Sequence, residues 1–335
     1  MSLPAGARVV RLATRGSPLA LAQADIVARL LEAREPELRV ARVVVRTEGD
    51  RRTEEDLDRI GGQGVFVKEV QGAVLDGRAD VAVHSAKDLP PRTPEGLVLA
   101  AVPARADPRD AMVGATLGTL VPGAVVATGS ARRRAQLANI RPDLGFVGLR
   151  GNMATRLDRV GDGTVAAVVA AAAALDRLGW EHRIAERLSP VQCLPQAGQG
   201  ALALECREDD AGLLALLACV DVRDDHRALD AERAFLRTLG AGCAVPAGAL
   251  ARPVRASPDR DIADDTDGDD PDVPGELLEL EGVLASADGR VVVRGRCSGG
   301  DPDALGEALA WSLVRDRGAS SLSAFEELPL GPATA

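Results

Sequence analysis

The chain contains no tyrosine, and only four phenylalanines and two tryptophans in 335 residues. A surface that stacks on single-stranded nucleic acid is therefore disfavoured, because such surfaces use an array of aromatic rings. The core must instead be packed from alanine, valine and leucine. The five cysteines, Cys193, Cys206, Cys219, Cys243 and Cys297, are odd in number and nowhere spaced as CxxC, which leaves no zinc or dithiol motif and reads as free thiols in a reducing compartment. No stretch is long and apolar enough to span a bilayer. The opening "MSLPAGARVVRLATRGSPLALAQ" is interrupted by Arg8, Arg11 and Arg15, so it has no signal-peptide core. A soluble, cytoplasmic protein is expected, with no membrane and no nucleic-acid partner.

Lysine is almost missing as well: among the 40 basic residues only Lys68 and Lys87 are lysines. The net charge of −10 is local rather than general. Residues 259–281 hold eleven acids against Arg260 alone, and "DIADDTDGDDPDVPG" reads as a solvated, mobile loop, an acidic insertion at 256–275. Residues 128–159 hold seven arginines against Asp143 and Asp158. That basic stretch carries the functional signal.

Alternation of strand and helix patterns predicts an α/β fold. "RVVRLAT" is a strand, followed by a helix with Ser17 as N-cap and Pro18 at its first position. "RVARVVVRT" and "DVAVHSA" are further strands, with a helix between them closing near Gly77. The pattern restarts with "AVVATGS", a helix capped by Ser130, "GFVGLRG", another helix, and "TVAAVVAAAAALDRLG". "GALALECRED" is strand-like again and is expected to return to the first sheet. We divide the chain into lobe 1 (1–103 plus 200–220), lobe 2 (104–199) and a small C-terminal α+β domain (221–335) with a hairpin turning at Asp288-Gly289. Two lobes joined by crossings place a ligand cleft at the carboxyl ends of the strands.

Arg132 and Arg133 follow "ATGS" at a helix start, where free N–H groups already favour an anion. Arg150 ends a strand, Arg156 lies in the next helix, and Arg15 with Ser17 occupies the equivalent turn of the first lobe. Five guanidiniums at strand ends suit a ligand with several carboxylates or phosphates; scattered solvated arginines are the bland alternative. "GGQG" (61–64) lacks the lysine of a phosphate loop and is read as a mobile loop. His84 has no partner at metal-ligand spacing, so a hydrogen-bonded strand-end histidine is preferred and no metal is expected. Cys243, among small residues in "LGAGCAVPAGAL", is either a packed thiol or a nucleophile approached by something large.

"RLATRGSPLALAQ", "GGQGVFVKE", "ADVAVHSAKDLP", "DPRDAMV", "TGSARRRAQL", "LRGNMATRL", "GQGALALECR" and "AERAFLRTLGAGCAVPAG" follow one another in the order and spacing of the porphobilinogen deaminases, also called hydroxymethylbilane synthases. The resemblance extends from about residue 8 to 320 apart from the acidic insertion. It implies two doubly wound lobes resembling a type II periplasmic-binding-protein fold plus a small third domain. It further implies a dipyrromethane cofactor held by a thioether, which would fall on Cys243, and a catalytic carboxylate at Asp88. Lys87, Ser85, Thr128, Ser130, Arg132, Arg133, Arg150 and Gln199 would contact the cofactor, and Arg15, Ser17, Arg150, Arg156, Arg177 and Phe66 the substrate.

The reaction this implies joins four porphobilinogens to the cofactor with loss of ammonia, then releases the linear tetrapyrrole 1-hydroxymethylbilane by hydrolysis. Each step moves protons and develops positive charge on a pyrrole, work that one carboxylate can do. Each pyrrole carries an acetate and a propionate, which accounts for the arginines. Lys87 would then be a compact cation for a site too tight for a guanidinium. The sequence departs from the commoner family pattern at Gly129 in "TGS", at Gln63, and in "GCAVPAG". A monomer is expected, since the cleft forms within one chain. The rival readings are a non-catalytic two-lobe anion-binding or effector-sensing protein, and a thiol enzyme using Cys243 as a transient nucleophile.

Overall fold

The computed structural model describes residues 8–45, 67–149, 151–240, 246–254 and 277–322. The loop 61–64, Phe66, Arg150, Cys243 and the acidic insertion lie outside the described residues. The first sheet contains β1 (Val9–Arg15), β2 (Arg39–Val45), β3 (Val81–Ser85), β4 (Leu97–Ala101) and a strand from much later in the chain, β10 (Leu202–Arg207). Its order is β2-β1-β3-β10-β4. β1 runs parallel to β2 and β3, whereas β10 is antiparallel to both of its neighbours.

Both faces of the sheet are covered at its centre, which is why β3 there is almost continuously apolar and buried. Val10 and Leu12 of β1 join Val27 and Leu31 of α1 (Pro18–Arg34) and Leu213 of α6 (Ala211–Ala218) on one face. Ala13 points the other way, onto Val70 and Val74 of α2 (Lys68–Leu75). Leu12 and Leu31 are fully buried, and each such leucine contributes about 2 kcal/mol through burial. Ser17 caps α1 by accepting from the Ala20 amide at 3.3 Å, with Pro18 at the first position.

The second sheet repeats the plan. It contains β5 (Asp110–Val113), β6 (Val125–Ala127), β7 (Gly145–Val147), β8 (Ala167–Ala171) and β9 (Ile184–Arg187), in the order β7-β6-β8-β5-β9. β6, β7 and β8 are parallel, and β5 is the antiparallel strand. Leu137 of α3 (Ala131–Ile140) packs with Met112 and Val169 on one face; α4 (Met153–Gly161) and α5 (Ala172–Arg177) cover the other with Leu157 and Leu175. In each sheet the antiparallel strand is the one that enters from a crossover between the lobes.

The last part is an antiparallel sheet of β11 (Ala247–Pro253), β12 (Leu278–Ala285) and β13 (Val292–Gly299) against α7 (Arg223–Thr238) and α8 (Pro302–Trp311). Phe235, fully buried, centres its core. β4, β9 and α6 were not read from the sequence, and three further differences have a local cause. β5 is a strand inside "DPRDAMV", where a charged Asp110 hides the apolar pattern. β11 lies in "AGALARP", whose small residues carry little strand signal. α7 begins at Arg223, four residues before "RALDAERAF", because its first turn is exposed and polar.

Candidate active site

The parallel strands of both sheets end on the same opening. Ser85 at the end of β3 pairs with Leu202 at the start of β10, and Ala171 at the end of β8 pairs with Asp110 at the start of β5. The two crossovers, 102–109 and 194–201, therefore pass between the strand ends. After β3 the chain makes one 3-10 turn, Ala86–Asp88. Buried Ala86 and Leu89 anchor it against Ala201, Ala203 and Leu229, leaving Lys87 half-buried and Asp88 exposed.

The return crossover lies so close that only glycine fits. A Cβ on Gly198 would stand 2.8 Å from the Lys87 backbone nitrogen, and one on Gly200 would collide with the Ala106 carbonyl oxygen. Both residues have positive φ, 74° and 90°. Between them Gln199 is carried into the interior with no exposed surface.

Across the cleft, Ser130 caps α3 by accepting from the Arg133 amide at 3.4 Å, and Thr128 Oγ1 accepts from the Ser130 amide at 3.2 Å. Arg132 and Arg133 turn inward from this helix start onto fully buried Asp110. Arg132 Nη1 donates to Asp110 Oδ2 at 2.8 Å and to the Leu194 carbonyl at 2.6 Å. Arg133 Nε donates to Asp110 Oδ1 at 2.8 Å. Burial works to raise the Asp110 pKa, yet the two arginines and the Gln199 amide hold it well below the usual carboxylate range. Cys193 beside them is pushed up to about 12, by burial first and then by Asp110, so it is an inert thiol.

Lys87 Nζ donates to Gln199 Oε1 at 3.4 Å, and Arg133 Nη2 approaches the same oxygen at 3.3 Å. Burial first, then the charge of Arg133, pulls Lys87 down to about 8, with Asp88 and Asp110 opposing. Arg156 donates to the Gly151 carbonyl at 2.8 Å. Its pKa is lowered by burial and then by Arg133, while Asp88 acts the other way. Arg177 donates to the Gly200 carbonyl at 2.6 Å and is lowered to about 10 by burial, against Asp176.

Of the residues singled out in the sequence, Lys87, Arg132, Arg133 and Gln199 thus form one connected network, with Asp88 and Arg156 beside it. Arg15 ends β1 at the neighbouring strand end. Ser85 accepts from Gln23 Nε2 at 2.7 Å, tying α1 to the end of β3. No ion pair within 4 Å joins Lys87 to Asp88 among the described residues, although the two are adjacent in sequence. His84 pairs with buried Glu205 at 3.2 Å behind the site, and Gln71 Nε2 donates to the same carboxylate at 2.8 Å.

Two acids at the centre were not assigned a role from the sequence. Asp110 compensates the arginine pair. Glu232, fully buried on α7, accepts from Arg105 at 2.6 and 3.0 Å, from the Gly198 amide at 2.6 Å and from the Ala251 amide at 2.9 Å. It thereby fastens both crossovers to the third domain. The only signal in the sequence is an acid set among apolar residues, in "DAMV" and "AERAF".

Lys87, Arg132, Arg133 and Arg156 are four cations facing two carboxylates, Asp88 and Asp110. Among the described residues, Arg132 Nε and Nη2 are buried without a hydrogen-bond partner, an arrangement that asks for a further anion. A group bearing several carboxylates fits this donor set.

Comparison with known proteins supplies the class. A family profile described as "Porphobilinogen deaminase, dipyromethane cofactor binding domain" matches residues 10–215, and one described as "Porphobilinogen deaminase, C-terminal domain" matches residues 227–315. A porphobilinogen deaminase of Desulforudis audaxviator is 45% identical over 312 residues, covering 92% of this chain and 94% of the relative. That of Roseiflexus sp. (strain RS-1) is 44% identical over 318 residues, covering 93% and 98%. Among solved structures, the periplasmic aliphatic sulphonate binding protein SsuA from Escherichia coli aligns with 69% of this chain and 70% of its own at 14% identity, with a TM-score of 0.38. A protein that only bound anions would have no use for both deaminase domains over this length, so the non-catalytic reading falls away. From the two matched domains and the full-length relatives, the chain belongs to the porphobilinogen deaminase family.

Proposed function

We propose that this porphobilinogen deaminase works through Asp88 as the proton-transferring carboxylate and through Lys87, Arg132, Arg133 and Arg156 as the cations that hold the pyrrole carboxylates. The observation that carries the reading is the placement of Asp88 at the cleft, on a turn anchored by buried Ala86 and Leu89, beside a network with more cations than acids. The enzyme is a transferase that builds 1-hydroxymethylbilane for tetrapyrrole biosynthesis. Its dipyrromethane group, when bound, supplies the pyrrole end to which each new unit is joined.

The rest falls to the protein. An Asp88 carboxyl oxygen delivers a proton to the departing amine as the C–N bond breaks and ammonia leaves. The same carboxylate then balances the positive charge left on the substrate pyrrole and accepts the proton released when the new C–C bond is made. Arg132, with two nitrogens lacking partners among the described residues, takes a carboxylate of the cofactor. Arg156 orients a carboxylate of the incoming porphobilinogen, and Lys87 holds a carboxylate of the cofactor. Arg15, Ser17, Arg150, Arg177 and Phe66 complete the substrate side, and Ser85, Thr128 and Ser130 the cofactor side. Gln199, placed with the cofactor contacts in the sequence reading, has its side-chain amide fully engaged with protein.

Cys243 holds the cofactor as a thioether in this proposal, from the third domain that Glu232 fastens to the crossovers. The lobes divide as 1–103 plus 200–220 and 104–199, with the third domain from 221. No helix among the described residues is long and apolar enough to cross a membrane. A cytoplasmic monomer, with the small molecule porphobilinogen as its partner, fits a cleft contained within one chain.

The test is Asp88→Asn, which keeps the shape and removes the titrating group. Turnover of porphobilinogen should fall by at least about a hundredfold, the usual scale of general acid–base catalysis. Turnover within a factor of two of the parent would exclude Asp88 as the proton carrier.

A further inference from the structure

We propose that Gln199 is a positioning residue that fixes the ammonium of Lys87 against the cleft wall and keeps it in register with the arginine pair of the other lobe. A side-chain amide has two donor hydrogens and two acceptor lone pairs. All four are used here. Oε1 accepts from Lys87 Nζ at 3.4 Å and from Arg133 Nη2 at 3.3 Å, while Nε2 donates to the Pro108 carbonyl at 2.7 Å and to Asp110 Oδ1 at 2.9 Å.

The orientation of the amide follows from those partners. A flipped amide would turn its hydrogens towards two cations and its oxygen towards a carbonyl and a carboxylate. The amide also spans the lobes: Lys87 follows β3 of the first sheet, whereas Arg133 and Asp110 belong to the second. Without it, two cations would face one another with nothing between them, and the flexible lysine is the one that would withdraw. Because the amide is saturated and has no exposed surface, Gln199 has no hydrogen bond left to offer a ligand. It acts on the reaction through Lys87.

The charged groups around the Lys87 ammonium are Asp88 on its own turn, Arg132 and Arg133 from α3, and Asp110 from β5. Arg156 of α4 faces the same Asp88 and Arg133. From the return crossover the neighbours are neutral, Gln199 and also Gln196, whose Nε2 donates to the Lys87 carbonyl at 3.1 Å. An acceptor on the charged ammonium favours the protonated form. Removing the acceptor should therefore lower the Lys87 titration midpoint.

The experiment uses the fact that Lys68 and Lys87 are the only lysines in the chain. Trace acetylation across pH, quantified on the Lys87 peptide against the Lys68 peptide, reads the Lys87 midpoint without reference to activity. It is run on the parent, Gln199→Leu and Gln199→Met, each with and without Cys243→Ser so that cofactor loading is controlled. The Lys87 midpoint should fall by about half a pH unit or more in both variants, with Lys68 unmoved. Either variant serves alone should the other fail to fold. A midpoint that stays put or rises overturns the proposal. The inference rests on Lys87 being a working cation of the cleft, which Lys87→Arg tests separately: unchanged turnover there would defeat the reading of the site, whatever the midpoints do.

Discussion

Asp110→Asn should be among the most damaging single changes in this protein. Asp110 is fully buried and is the counter-ion of two arginines, at 2.8 Å from Arg132 Nη1 and 2.7 Å from Arg133 Nη2. The substitution keeps the volume but leaves two buried guanidiniums without their carboxylate, a loss of about 3–5 kcal/mol. Unfolding entropy runs at about 2.1 cal/mol/K per residue. If the second lobe melts as a unit of roughly 100 residues, the midpoint should drop by about 14–24 °C. If the whole chain melts in one step, the drop should be about 4–7 °C.

Calorimetry at pH 7 in the Cys243→Ser background separates these outcomes, since in that background no cofactor carboxylate can stand in for Asp110. The pH dependence adds a second check. The folded pKa of Asp110 lies below its unfolded value, so its contribution is fully present above the unfolded carboxylate range and is lost as pH falls through the folded pKa. The gap between parent and variant should hold steady from pH 7 to about 5 and close only below about 4. A native-like variant melting within about 1 °C of the parent would refute the counter-ion argument.

Other consequences follow from the same contacts. Lys87→Arg should lower turnover about tenfold or more, because the planar fork does not fit where a compact ammonium meets the Gln199 oxygen, and should remove any alkaline loss of activity due to Lys87 deprotonation. A pH–rate profile checks both, and a profile matching the parent in height and shape contradicts them. Glu232→Gln should destabilise by about 3 kcal/mol, since the amide cannot accept all four donors from Arg105, Gly198 and Ala251. Limited proteolysis should then cut first in the crossovers, and an unchanged cleavage pattern would show that Glu232 does not secure them.

Much of the framework was legible in the sequence because local chemistry decides it. β1, β2 and β3 announce themselves by β-branched apolar runs, and Ser17 and Ser130 announce the helix starts they cap. Asp288-Gly289 marks the turn between β12 and β13, with Gly289 at a φ of 76°. The site was legible as a set of cations, and less so as a structure. Arg132 and Arg133 read as cleft-facing cations, yet both turn inward onto an acid 22 and 23 residues earlier in the chain. Glu232 meets Arg105 across 127 residues. No local pattern encodes such pairings, because they arise only when three chain segments converge. For the same reason the partners of Gln199 are hidden in the motif, which shows only a polar residue between two glycines, whereas the fold brings Lys87, Pro108, Asp110 and Arg133 to its side-chain amide.

The central claim is that a primer bound at Cys243 is extended unit by unit under the control of Asp88. Intact mass spectrometry tests it most directly, on protein from cells that make porphobilinogen, beside Cys243→Ser and after mixing with substrate. The account predicts an excess of two deaminated porphobilinogen units on the parent, no excess on Cys243→Ser, and a ladder of up to four further units that is stalled or absent in Asp88→Asn. An unmodified parent mass with no ladder, or an identical excess on Cys243→Ser, would contradict it.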